Sequence, residues 1–250
     1  MKSLSVVLLT ALLAVSACNK NDNDDNPLPT PGTGEVTAVG VPDGDYQSGA
    51  TIGAAGGTIV SPDDELTVTI PAGALTSNQE IRITRITNTN PMGIKNGYRI
   101  TPHNLQFAKP VTITFNYTDE DIAGSIPEAL GIAYQDAAGV WQSMPDVTLN
   151  KTAQTVSVTS THFSDWSFFE SFEIQASSRF IGPGESAQLE VISHANVVGP
   201  LTGEQPIGKR QSMTAQFIKG WSLSGAGTLT PNGAKASYKA PGKVPAAPTR

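Results

Sequence analysis

The chain has 250 residues, enough for one or two ordinary domains with a sizeable core. Its 24 glycines and 18 prolines suit many tight turns and argue against long helices. The formal net charge is −6 and basic residues cluster only at the pair Lys209-Arg210, so nucleic acid is excluded as an expected partner.

Residues 1–17 predict a secretory signal. A positive start is followed by a twelve-residue apolar run, 4–15, shorter than the roughly 20 residues that span a bilayer. The motif Val15-Ser16-Ala17-Cys18 resembles the lipobox of bacterial lipoproteins. That resemblance implies a mature chain acylated at Cys18, the only cysteine, and anchored as an outer membrane lipoprotein of the bacterial cell envelope. An ordinary signal peptide followed by a free thiol is the alternative.

Residues 18–45 predict the lipidated cysteine and a flexible acidic, Pro-rich tether. Between positions 19 and 34 the one aliphatic side chain is Leu28, so this stretch cannot bury enough surface to fold. We expect it to hold the folded part off the membrane. Its acidic run resembles the surface-export signal of lipoproteins in the Bacteroides group, which implies surface exposure; a solvated linker is the alternative.

Residues 46–170 predict an antiparallel β-sandwich or partly open barrel. Leu66, Val68 and Ile70 alternate with threonines, and the run 111–117 has an apolar or aromatic residue at every second position. Similar short runs follow, separated by turn residues, as is typical of all-β domains. The glycine cluster 53–57 lacks the ending of a phosphate-binding loop and is interpreted as a turn.

Six short motifs lie in order along this segment: GGT at 56–58, IPAGAL at 70–75, YRITP at 98–102, FAKPV at 107–111, IAY at 132–134 and THFS at 161–164. Together they resemble the ZU-five domain, named for zonula occludens and netrin-receptor proteins. The resemblance covers about half of the chain. It implies a β-sandwich that mediates protein contacts and coupling between neighbouring domains.

The triplet His162-Phe163-Ser164 matches one at which some animal ZU-five proteins cut their own backbone. The resemblance implies that Ser164 is the nucleophile and His162 is the base. The bond that breaks is the peptide bond between Phe163 and Ser164. The alternative is structural. In that interpretation Phe163, Trp166 and Phe168 fill the core, while His162 and Ser164 bond locally to the backbone.

The acidic stretch Thr118-Asp119-Glu120-Asp121 predicts a helix start, because Thr118 can cap the first turn and the carboxylates suit the helix dipole. Three carboxylates can also bind Ca²⁺, but their spacing matches no EF-hand loop. The three histidines are scattered, and no hydrolase or nucleotide-binding motif is present. The sequence therefore indicates no cofactor, no metal site and no turnover enzyme.

Residues 171–250 predict a second β module. WSLSG at 221–225, GTLTPNG at 227–233 and YKAP at 238–241 resemble bacterial immunoglobulin-like modules of cell-surface proteins, which implies that Trp221 packs in mid-sandwich. The closing strands of such a sandwich are not found before Arg250, so we expect a truncated module. The whole chain is thus expected to be a lipoprotein that displays interaction modules to an unknown protein or glycan.

Overall fold

A computed structural model describes residues 9–11, 33–103, 105–194 and 203–243. Over these residues the chain is almost entirely β-structure, with two short 3-10 turns at Pro127–Ala129 and Ala215–Phe217. The all-β fold predicted from the sequence is therefore confirmed.

The strands, in chain order, are β1 (Leu9–Ala11), β2 (Pro42–Ile52), β3 (Gly57–Val60), β4 (Leu66–Ile70), β5 (Gln79–Ile86), β6 (Gly93–Thr101), β7 (Gln106–Asn116), β8 (Leu130–Gln135), β9 (Trp141–Ser143), β10 (Thr148–Asn150), β11 (Thr155–His162), β12 (Asp165–Glu170), β13 (Phe172–Ala176), β14 (Ser186–His194), β15 (Gln205–Pro206), β16 (Arg210–Ser212), β17 (Trp221–Leu223), β18 (Thr228–Asn232) and β19 (Lys235–Lys239). They belong to two compact units. The larger unit holds the described residues of 33–171, His194 and 203–210, and the smaller unit holds the others.

The larger unit is a sandwich of two antiparallel sheets. One sheet has the strand order β10-β11-β7-β4-β3, and the other has the order β15-β9-β8-β12-β6-β5-β2. Strand β4 shows why they pack: Leu66, Val68 and Ile70 are buried, whereas Thr67 and Thr69 are more exposed. Such alternation gives each sheet one apolar face, and the two faces enclose a single core.

Strand β12 differs from the others because all six of its residues are buried. Trp166 and Phe168 belong to the core between the sheets. On the opposite face, the Ser167 hydroxyl donates to Asn88 Oδ1 at 3.0 Å and accepts a bond from Asn90 Nδ2 at 3.2 Å. The outer face of this sheet is therefore covered by other parts of the chain.

Part of that cover is a segment that the sequence assigns to the tether. The Glu35 N–H donates to the Ile207 carbonyl, and the Thr37 N–H donates to the Gly139 carbonyl, each at 2.9 Å. The prediction that the flexible tether runs to residue 45 is therefore wrong for 35–45. Composition misses this segment because backbone groups, rather than apolar side chains, attach it to distant residues.

The remainder of the predicted leader is largely outside the described residues. Of the signal 1–17 the structure describes only Leu9–Ala11, which pairs antiparallel with β17. Cys18 and the positions up to 32 lie outside the described residues, so lipidation and the tether stay predictions there. Among the residues that the structure describes, no helix has the length and apolarity to cross a bilayer.

The smaller unit has a sheet of order β13-β14-β19-β18, with β16 also paired to β14. Trp221 is only partly buried, and its Nε1–H donates to the Gly233 carbonyl at 2.9 Å. The expectation that this indole fills the middle of a sandwich is wrong, because it is fixed at the turn between β18 and β19. The buried apolar side chains here are mostly small or medium in size: Ala187, Leu189, Val191, Ile192, Met213, Ala234 and Ala236.

One segment of the predicted second module, 171–250, belongs to the larger unit. Residues 203–210 belong to the larger unit, where β15 pairs with β9 and the Ile207 N–H donates to the Trp141 carbonyl at 2.7 Å. Trp141 itself is fully buried. The segment 203–210 therefore returns to the first domain after the chain has entered the second.

Candidate functional site

The candidate cleavage triplet forms the junction between β11 and β12. Phe163 is 1% exposed, and its ring packs edge-on against Phe107 with the centroids 4.7 Å apart. The residue before the hypothetical cleavage point is thus fixed in the core by aromatic packing.

Ser164 forms hydrogen bonds with two strands, β8 and β6. Its hydroxyl donates to the Gln135 carbonyl at 2.6 Å, and its own carbonyl accepts the Ile100 N–H at 3.0 Å. A serine hydroxyl has one proton to donate. That proton lies on the Gln135 carbonyl of β8, a long-range bond rather than the local one that the structural interpretation predicts.

His162 contacts a different hydroxyl. Its Nδ1 lies 3.3 Å from Ser160 Oγ, and its ring lies edge-on to Tyr134 with the centroids 4.7 Å apart. Burial lowers the pKa of His162 below its usual value, although the charge of Glu204 acts in the opposite direction. A neutral imidazole can accept a proton, but the hydroxyl that this one contacts belongs to Ser160 and not to Ser164.

The sequence did not identify Asp165, the buried acid that follows the triplet. Arg99 donates to it twice, from Nε to Oδ1 at 2.8 Å and from Nη2 to Oδ2 at 2.7 Å, and His103 Nε2 lies 3.4 Å from Oδ1. Burial raises the pKa of Asp165, but the bonds from Arg99 and His103 outweigh it and leave the pKa below its ordinary value. A carboxylate bound in this bidentate way is a structural ion pair rather than a base.

A second cluster joins the turn between β3 and β4 to strand β6. The Tyr98 hydroxyl lies 2.9 Å from both Asp63 Oδ2 and Glu65 Oε2, and Lys95 Nζ lies 2.7 Å from Glu65 Oε1 and 3.0 Å from Asp121 Oδ2. Burial and the two carboxylates raise the pKa of Tyr98 well above its ordinary value. No sequence pattern predicts this cluster, because its members lie on separate elements.

The predicted helix at Thr118 is wrong, although its capping bonds form. The Thr118 N–H donates to Asp121 Oδ2 at 2.8 Å, and the Asp121 N–H donates to Thr118 Oγ1 at 3.3 Å. No helix follows, because Gly124 has a φ of 106°, which is incompatible with a helical path. The acidic stretch is a turn whose last carboxylate binds Lys95.

The structure does not bring the three histidines together. His103 contacts Asp165, His162 contacts Ser160, and His194 lies beside Phe169 with ring centroids 6.4 Å apart. Within the described ranges, no group of three or more His, Cys, Asp or Glu residues is placed to hold a metal ion.

Two shallow clefts lie in the larger unit, with volumes of about 200 and about 100 Å³. Both are smaller than the roughly 300–1,000 Å³ that is usual for small-molecule sites. Met144 and Phe169 line the first cleft, and Leu75 and Leu105 line the second. Neither cleft is lined by a residue of the candidate triplet.

Comparison with known proteins gives no family for this chain. No protein-family model matches it, and no curated protein matches it either. The likeness to ZU-five domains, immunoglobulin-like modules and lipoproteins therefore depends on the sequence motifs alone.

Proposed function

We propose that the chain is a lipoprotein of the bacterial cell envelope, anchored at Cys18, that displays two β modules for binding another molecule. The larger module is the ZU-five-like one, and the smaller is the immunoglobulin-like one. The observation that supports this role best is the bonding of Ser164 to the Gln135 carbonyl. Ser164, the candidate nucleophile, holds two strands together. The outer surface of the folded module is what remains for binding other molecules.

The distance along the chain from Cys18 to the first hydrogen bond with the folded unit, at Glu35, fits an anchored module. Seventeen residues, 18–34, separate the proposed lipid from the backbone hydrogen bond of Glu35. A chain of that length spans at most about 60 Å when fully extended. Several acyl chains at the cysteine give stable anchoring, since each buried CH₂ contributes about 0.8 kcal/mol.

The exposed surface favours a protein partner. Val36, Val39 and Val41 are 70%, 63% and 68% exposed within one short segment. Removal of the signal takes the charge to 15 − 22 = −7, which does not suit nucleic acid. The alternative glycan role is less well supported. The ring of Tyr46 is partly exposed, but the Arg85 guanidinium lies 3.3 Å from its centroid and occupies a face on which a sugar would stack.

The anchor is tested by fractionation of cells that produce the chain. Cys18→Ala should move the protein from the membrane to the soluble fraction or leave the signal uncut, because the acylated sulfur is lost. Asn19→Ala is the matched control and should stay in the membrane fraction. A Cys18→Ala chain that fractionates like the parent would contradict the anchor.

Self-cleavage is the alternative function, and mass spectrometry of the secreted chain tests it. We expect a single uncut chain, because the Ser164 hydroxyl is bonded to Gln135 rather than to His162. A fragment that begins at Ser164, and that is lost in Ser164→Ala but not in Ser160→Ala, would establish cleavage instead.

A further inference from the structure

Lys95 is held between two carboxylates at the start of β6. Its Nζ lies 2.7 Å from Glu65 Oε1 and 3.0 Å from Asp121 Oδ2. The side chains of Lys95, Glu65 and Asp121 are 25%, 23% and 16% exposed, so the three groups are partly shielded from water. Lys95 also has a φ of 56°, a left-handed conformation in which a non-glycine residue is strained.

The carboxyl group of Asp121 is polarised from one side. Its Oδ2 accepts the Thr118 N–H at 2.8 Å and the Thr118 hydroxyl at 2.9 Å. Two donors on one oxygen stabilise the negative charge that collects there when a nucleophile adds to the carboxyl carbon. The amine nearest to this carboxyl group is that of Lys95, whose Nζ lies 3.0 Å from the same Oδ2.

Glu65 is placed to move protons in such a step. One of its oxygens faces Lys95 Nζ, and the other lies 2.9 Å from the Tyr98 hydroxyl. A carboxylate within hydrogen-bond reach of an amine can take up a proton and pass it on. Amine, polarised carboxyl and proton carrier therefore lie within one cluster of contacts.

We propose that Lys95 and Asp121 form an intramolecular amide bond. Nζ bonds to Cγ of Asp121, and the bond from Cγ to Oδ1 breaks. The ammonium loses two protons, which leave with Oδ1 as one water molecule, so an ammonium and a carboxylate become one neutral amide. Oδ2 remains as the amide carbonyl and keeps its bonds from Thr118, and no oxidant or other reactant is required.

Before the reaction Lys95 and Asp121 are both charged, and burial opposes these charges. Burial is the largest influence on both groups: it lowers the pKa of Lys95 and raises that of Asp121. Their mutual pairing, with the bonds from Glu65 and Thr118, outweighs burial, so the net pKa of Lys95 is raised and that of Asp121 lowered. Exchange of one proton within the pair gives the neutral amine and acid that the reaction uses, and burial reduces the free-energy cost of that exchange without removing it.

The amide would close a ring of residues 95–121 in the larger unit. It would join β6 to the turn that follows β7. Strands β6 and β7 belong to different sheets of the sandwich. A covalent ring of this kind restricts the unfolded chain, as a disulfide does. The chain has a single cysteine, so a disulfide within one molecule is not available to it.

Peptide mass spectrometry of the purified mature chain tests the proposal, and peptide-level detection makes the result independent of the lipid at Cys18. Trypsin should yield one branched peptide joining 86–99 to 100–151, lighter than the sum of the two by one water molecule. Lys95→Arg keeps the charge but should abolish the branch. Lys151→Arg, at the exposed pair with Glu128, is the matched control and should retain the branch between Lys95 and Asp121.

Glu65→Gln tests the proton carrier. Loss of a positioned acid–base group slows proton transfer by roughly 10²–10⁴-fold, so the branched fraction should fall at least tenfold in a fixed time. An unchanged fraction would overturn the assignment of Glu65. Separate, unlinked peptides from the parent chain after prolonged incubation would overturn the amide and leave the contact as an ion pair.

Discussion

Arg99 and Asp165 lie directly opposite each other on the adjacent strands β6 and β12. The Asp165 side chain is 4% exposed, and both of its oxygens are bonded to the guanidinium. Removal of one partner from a buried pair leaves the other charge without compensation in a medium that solvates it poorly. At the scale of single residues, replacing one member of this pair should therefore have a large effect on stability.

Asp165→Asn should destabilise the larger unit by about 3 kcal/mol, because Arg99 loses its counter-charge. Urea unfolding at neutral pH measures the loss. The pKa of Asp165 is depressed in the fold, so its contribution is present above the pKa of the unfolded chain and is lost as the pH falls. Glu80→Gln, at the exposed pair with Arg82, should change stability by less than about 0.5 kcal/mol, and equal effects of the two variants would contradict the argument.

Sequence analysis includes Arg99 in the motif at 98–102 but does not find its partner Asp165. The two residues are 66 positions apart, and their contact depends on the register between strands that are not consecutive in the chain. Alternation within one strand shows which side chains share a face, but it carries no information about which strand lies alongside. The same limit applies to Lys95, Glu65 and Asp121.

At the scale of elements, alternation predicted the strands that have one buried face. Strand β4 is such a case, and its pattern of buried and exposed residues follows the sequence. Strand β12 reads Asp-Trp-Ser-Phe-Phe-Glu and is buried on both faces, so polar residues lie where a one-sided strand would expose them. The segment 35–41 lies beside this outer face without forming a regular strand, and periodicity therefore cannot detect it.

Gly40 allows the segment 35–41 to lie close to the sheet. A Cβ atom at this position would meet the Thr87 carbonyl at 2.4 Å and the Ile86 side chain at 2.7 Å. Gly40→Ala should therefore displace the segment and destabilise the larger unit by roughly 1–3 kcal/mol. Thermal unfolding measures the cost. Gly44→Ala is the matched control, since nothing lies within 4 Å of its Cβ position, and a larger loss for the control would contradict this account.

At the scale of the whole molecule, two buried titratable groups of the larger unit give its stability opposite dependences on pH. Burial raises the pKa of Glu170 to about 7, with Arg210 and a bond from Ser125 acting against it. Burial alone lowers the pKa of His194 to about 4. His194 contributes stability above its ordinary pKa of 6.5 that is lost as the pH falls toward 4.

Glu170 acts in the opposite sense, because its folded pKa lies above its ordinary value of 4.5. The folded state holds the proton more tightly than the unfolded chain, so stability is greatest at low pH and declines as the pH rises from about 4.5 to about 7. A shift of that size corresponds to about 3 kcal/mol. Between about pH 4.5 and pH 6.5 the two dependences oppose each other and largely cancel, so the stability of the parent chain changes little there and the contribution of either group is measured by replacing it.

Glu170→Gln should remove the loss of stability that Glu170 causes as the pH rises, because glutamine stays neutral where the buried carboxyl would ionise. We expect the variant to exceed the parent by up to about 3 kcal/mol at roughly pH 8 and to match it within about 1 kcal/mol at roughly pH 5, by urea unfolding. Glu128→Gln is the control: its exposed carboxylate already has a lowered pKa beside Lys151, so it is ionised in both states across this range and should leave the pH dependence of the parent unchanged. A Glu170→Gln variant whose stability differs from that of the parent by the same amount at roughly pH 5 and at roughly pH 8 would show that Glu170 is not the group responsible.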